Sequence, residues 1–92
     1  VFTYGIAISI CFARIYNCST VDDGSNRAVL IGCNSAGYMH CWDLGGMAVA
    51  NYAFAARFNG EIGYSGTLPT YGVALTQKER GGHIFNEAGQ LV

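Results

Sequence analysis

Between the polar, turn-rich stretch STVDDGSN and Gly37, the chain reads RAVLIGCNSAG. Val29, Cys33 and Ala36 stand at i, i+4 and i+7, one stripe of a 3.6-residue period, which predicts a short helix over residues 25–36. Asp23 or Ser25 can accept the free N–H groups at its start, and Gly37 suits a left-handed stop. Gly32 weakens such a helix by about 1 kcal/mol relative to Ala. Downstream the period changes. Residues 38–42, YMHCW, form a short strand-like run before the hinge Leu44-Gly45-Gly46. Residues 47–58, MAVANYAFAARF, are nearly all apolar and predict a strand buried on both faces, although their alanines also suit a helix. Asn59-Gly60 is a hairpin signal that favours the strand, with residues 61–65 returning. A run at 71–76, a polar connection at 78–82 and HIF at 83–85 lead through the turn EAGQ to Leu91-Val92. One short helix packed on an antiparallel sheet is an α+β layout. No internal repeat or low-complexity tract stands out.

The 92 residues allow one domain, and with half of them apolar they form a core rather than a disordered chain. The net charge is −1, and no basic run offers the counterion-releasing patch of a tight nucleic-acid binder. No stretch approaches the ~18 apolar residues of a spanning helix. The opening VFTYGIAISICFA carries an apolar run from Ile6 to Ala13 that ends in a small residue. That is the pattern of a secretory signal and its cleavage site without the basic start. The alternative is a buried first strand. On the signal reading, residues 1–13 are a signal-peptide remnant, the protein is secreted, and the domain begins at Arg14, with no membrane contact once processed. The cysteines Cys11, Cys18, Cys33 and Cys41 fit secretion. They form no CxxC pair and the two histidines, His40 and His83, lie far apart, so neither a metal nor another cofactor is expected.

GYMHCWD, residues 37–43, concentrates a phenol, an imidazole, an indole and a carboxylate in an otherwise weakly polar chain. Its surroundings carry a resemblance. Tyr16-Asn17-Cys18 follows the apolar run, Gly32-Cys33 lies in the expected helix, and Tyr38-Met39-His40 with Trp42 opens a strand. Asn59-Gly60-Glu61-Ile62-Gly63-Tyr64-Ser65-Gly66 with Pro69, and then Ile84-Phe85-Asn86-Glu87, complete the order. Together these resemble the fungal guanyl-specific ribonuclease family, and in particular the ribonuclease-like secreted effectors of powdery mildew fungi. The resemblance implies a microbial ribonuclease-like domain over residues 14–92, truncated at its C-terminus.

In that family the ribose 2′-OH attacks the adjacent phosphate, which requires a base, an acid and cationic phosphate donors. Tyr38 and His40 match the family's Tyr and strand His. Its Glu position falls on Ala53, its Arg position on Gly82, and its second His after Val92. Arg80 lies two residues before the Arg position. Losing the general acid and base removes roughly 10²–10⁴-fold each, so the resemblance implies a pseudo-ribonuclease. Tyr38, His40, Trp42, Asp43 and Arg80 remain as binding residues, with Trp42 able to stack on a base for ~1–3 kcal/mol. Four of them also have a plain reading: Tyr38 as a core or rim residue, His40 as a half-buried strand histidine, Trp42 as a core anchor, Arg80 as a solvated loop charge. The expected function is a non-catalytic secreted effector that binds a host protein or RNA. The alternative is a secreted guanyl-preferring endoribonuclease whose C-terminal segment is missing.

Overall fold

Ile, Val, Tyr and Phe recur in short apolar runs separated by glycine and polar pairs, and among the described residues most of these runs are strands. The structure, a computed structural model, describes residues 4–20, 27–46 and 50–92. Ten strands make up its regular structure: β1 Tyr4–Ser9, β2 Phe12–Tyr16, β3 Ser19–Thr20, β4 Arg27–Asn34, β5 Tyr38–Trp42, β6 Gly45–Gly46, β7 Ala50–Arg57, β8 Glu61–Ser65, β9 Ala74–Glu79 and β10 His83–Phe85. All strand pairs are parallel. One sheet runs β1-β4-β7-β9, a second runs β10-β8-β5-β2, and β3 pairs with β6. The chain is therefore a parallel β-solenoid. Coil one is β1–β3, coil two β4–β6, coil three β7–β8 and coil four β9–β10.

The expected α+β fold is corrected on three counts. The span read as a helix is strand β4, followed by Ser35 and Ala36 in the left-handed region at φ 54° and 62°. Residues 28–33, AVLIGC, are a continuous apolar run with β-branched Val29 and Ile31, and the spacing of Val29, Cys33 and Ala36 is a coincidence of that run and the turn after it. The capping residues proposed for that helix, Asp23 and Ser25, lie outside the described residues. The antiparallel hairpin is also absent. Asn59-Gly60 does mark a turn, but φ is positive at Phe58 and Asn59, and β7 and β8 leave it into different sheets. Finally, the chain does repeat. Gly37, Gly60 and Gly82 recur at 23 and 22 residues, each accepting the last place of a turn whose N–H donates to the carbonyl three residues back, Asn34, Arg57 and Glu79.

These turns explain their glycines. A Cβ on Gly60 would overlap the Cys33 carbonyl of the coil before, and one on Gly82 would overlap that of Ala56. The turns also bond to one another, Ala36 N–H to Phe58 C=O at 3.0 Å and Asn59 N–H to Arg80 C=O at 3.1 Å. A second corner stacks Asn17, Asp43 and Gly66 at φ 54°, 54° and 73°, the residue types that tolerate this region.

The interior lies between the two four-stranded sheets. Ile31, Cys33, Phe54 and Ala56 face Met39, Cys41, Ile62 and Ile84, all at most 2% exposed. Phe54 stacks on Tyr64 at 5.2 Å between ring centres, joining the sheets. On the opposite face of β7, Arg57 is 5% exposed, donates to Gln77 at 2.6 Å and pairs with Glu79 at 2.9 Å. Those are its neighbours in the next coil, so the buried guanidinium is paired with a carboxylate that is itself 42% exposed.

Candidate functional site

Side chains alternate along a strand, and the parallel register stacks equivalent positions from coil to coil. In the second sheet, Met39 and Cys41 point into the core, which turns Tyr38, His40 and Trp42 outward on β5. The register then builds three outer rows: Phe12, Tyr38, Glu61 and His83; Arg14, His40, Gly63 and Phe85; Tyr16, Trp42 and Ser65. The sheet thus brings together three of the expected binding residues and adds Phe12, Arg14 and Tyr16 from coil one. Phe12 lies inside the span read as a signal, while Arg14 and Tyr16 follow it, where nothing in the local pattern marks them as facing His40.

The rows are in contact. Phe12 and Tyr38 stack at 5.1 Å with planes 10° apart, and Arg14 lies over Phe12 at 5.2 Å. The Tyr16 hydroxyl shares a 3.0 Å hydrogen bond with Nδ1 of His40, and the Tyr16 ring stands edge-on to Trp42 at 5.8 Å. His40 is therefore oriented by a neighbour in the preceding coil, with its Cδ2 edge toward Gly63 of coil three.

Coil three is small where coil two is large. Glu61, Gly63 and Ser65 form the floor of a trough of about 360 Å³, walled by Tyr38 and His40 on one side and Phe85, Asn86 and Glu87 on the other. It runs on into a hollow of about 370 Å³ beside Gly66, Leu68 and Ala88. A side chain on Gly63 would reach ordinary contact with His40 at 3.5 Å and the Tyr38 hydroxyl at 3.8 Å, so the missing Cβ is what opens the trough. The far wall is held by its own turn. Asn86 Oδ1 accepts from the N–H groups of Ala88 and Gln90, each at 3.0 Å.

The remaining expected residues are elsewhere. Asp43 occupies the second corner, where its carboxylate accepts from Thr67 N–H at 2.9 Å and folds over Gly66. Arg80 sits in the turn between the sheets with its guanidinium over Phe58 at 5.1 Å, and it does not line the trough. Ala53, at the family's Glu position, is fully buried in the first sheet, and Gly82 closes a turn. Neither could present a catalytic side chain beside His40 by simple substitution. Among the described residues no group of His, Cys, Asp and Glu is arranged to hold a metal ion. All four thiols are free, Cys33 and Cys41 buried and Cys11 and Cys18 exposed.

No protein-family model matches the sequence, and no curated protein and no solved structure matches the chain.

Proposed function

We propose that this protein is a non-catalytic binding module that holds an extended ligand in the trough over β8. The observation that carries this reading is the glycine-floored trough between Tyr38–His40 and Phe85–Glu87. It is open, straight and as long as a five-residue strand, about 17 Å, with walls two strand spacings, about 9.5 Å, apart. One aromatic wall, Tyr38, is braced from behind by the stacked ring of Phe12 in coil one. Reaction chemistry finds little support: His40 is the only imidazole in the trough, and the positions a ribonuclease would use for its carboxylate base and its arginine are a buried alanine and a turn glycine.

The test is a binding titration followed by Trp42 fluorescence and by amide shifts of β8, using single-stranded RNA, neutral oligosaccharides and a basic peptide as probes. Gly63→Ile fills the trough without entering the core. It should abolish binding of whichever probe is held, with an unchanged melting temperature. No probe should be cleaved. Cleavage of RNA after guanine, lost in His40→Ala, would overturn the reading, and so would binding indifferent to Gly63→Ile.

A further inference from the structure

Resting on that trough, we infer that its ligand is an uncharged linear oligosaccharide. Charge is the first argument. The ionised groups lining the trough are the carboxylates of Glu61 and Glu87, and no lysine or arginine of the described residues lines it. Arg14 is engaged over Phe12, Lys78 donates to the Val92 carbonyl, Arg57 is paired with Glu79, and Arg80 lies over Phe58. A phosphodiester or polyuronate would meet two carboxylates with no lysine or arginine on the lining to neutralise it.

The second argument is the alternation of apolar and polar surface. Tyr38, whose ring is stacked on Phe12 behind it, and Phe85 line the trough and offer apolar surface to the C–H side of a pyranose. The Tyr38 hydroxyl, Ser65, Asn86 and the two carboxylates offer a rim of donors and acceptors to its hydroxyl edge. An ionised carboxylate accepts two hydrogen bonds side by side, which matches vicinal hydroxyls, and bonds to a charged acceptor are roughly twice as strong as neutral ones. A sugar hydroxyl both donates and accepts, so it satisfies either kind of wall.

The third argument disfavours an extended peptide. The floor strand β8 is already hydrogen-bonded to β5 on one side and β10 on the other. A peptide laid over it finds no backbone row to pair with and leaves its own N–H and C=O groups unmatched against the sheet face. A sugar chain has no such obligation, and its outer hydroxyls stay in water above an open trough.

The experiment compares soluble neutral hexasaccharides of several linkages with an oligogalacturonate, a single-stranded RNA and hexalysine, by amide-shift titration at low and physiological salt. A neutral oligosaccharide should bind alone of the four classes, with affinity independent of salt. Glu61→Gln should weaken it roughly tenfold, the equivalent of one charge-assisted hydrogen bond, and Tyr38→Ala at least as much. Glu87→Gln, on the opposite wall, should act in the same direction. If hexalysine or RNA binds instead and Gly63→Ile blocks it, the trough stands and the sugar assignment falls. If a sugar binds but Gly63→Ile has no effect, the trough itself is the wrong place and both fall. Silence from every neutral sugar in the set also overturns the assignment.

Discussion

Coils one and three follow the same path around the solenoid, yet they are packed very differently. In coil three, Ala53, Phe54, Ala55, Ala56 and Ile62 are at most 1% exposed. In coil one, Ile6 is 48% exposed, Phe12 58% and Ile10 81%. The two segments do not differ in hydrophobicity; YGIAIS is as apolar as ANYAFAAR. They differ in neighbours. Among the described residues β7 is paired on both edges by β4 and β9, whereas β1 is paired only by β4 and β2 only by β5. In a solenoid, burial is made by the coil before and the coil after, so stability is close to a sum of such interfaces. The other end is treated differently again. Leu91 bridges to Phe85, Val92 N–H donates to Ile84 C=O at 2.9 Å, and the Lys78 amine reaches the Val92 carbonyl, which folds the last residues under coil four.

The comparison predicts its largest effect in the core. Ile62→Ala removes a side chain with no exposure and leaves a cavity between two sheets, and it should cost about 2–5 kcal/mol. Ile6→Ala in coil one should cost less than about 1 kcal/mol, because half of that side chain is already in water. Urea unfolding of the two variants measures both. Equal losses would mean that coil one is as tightly packed in solution as coil three.

A smaller effect, of opposite sign in the two coils, is expected at the turns. Gly60→Ala drives a methyl into the Cys33 carbonyl, so the coils must part, at a cost of roughly 1–3 kcal/mol. The corresponding corner of coil one, Ser9 to Phe12, has no glycine and places Ile10 at φ 56°. A β-branched residue there costs about 1–2 kcal/mol, while glycine adds about 0.5–1 kcal/mol of unfolded-state entropy. Ile10→Gly loses little burial and should therefore stabilise the protein slightly. Thermal unfolding should show Gly60→Ala lower and Ile10→Gly level or higher. A loss with Ile10→Gly would show that Ile10 is packed in solution.

Where local pattern decides the structure, the sequence was legible. YMHCW and EIGYS are strands β5 and β8 at the expected residues, HIF is β10, and the apolar run before Asn59-Gly60 contains β7. What was not legible is which strand lies beside which. A turn with two left-handed residues reverses a chain in a hairpin, but here the same chemistry at Phe58-Asn59 turns a corner, because the apolar side chains of β7 and β8 must face one another across a core. The repeat is hidden in the sequence because it keeps spacing and burial rather than residue identity. Glycines at 37, 60 and 82 and the Asn17, Asp43 and Gly66 corner were its visible trace. The site was half legible for the same reason. Tyr38, His40 and Trp42 share a face by alternation within one strand, whereas Phe12, Tyr16, Gly63 and Phe85 join them only through the coil-to-coil register.

A last difference, silent at neutral pH, separates the cysteines of coil one from those of coil two. Cys11 and Cys18 are exposed, and Cys33 and Cys41 are buried. Burial pushes the Cys41 thiol up to about 12, with the nearby Cys33 adding to the shift. Burial also raises Cys33, partly opposed by a hydrogen bond from the Glu61 backbone. The thiolate is the reactive form, so at about pH 8 a maleimide or disulfide reagent should modify two thiols quickly and two only after unfolding. The same shift fixes a pH dependence. Folded Cys41 holds its proton more tightly than the unfolded chain, whose thiol ionises near the ordinary value of 9.0. Its contribution is present in full below that value and is lost as pH rises through about 12. Between those limits, stability should fall by about 1.4 kcal/mol per pH unit for this thiol. Urea titrations at rising alkaline pH should show the decline, and Cys41→Ala should reduce it to the part owed to Cys33, even though the variant starts less stable. Cys18→Ala, on the exposed coil, should leave the slope unchanged. A slope that follows Cys18 instead of Cys41 would reverse the assignment of inside and outside between the two coils.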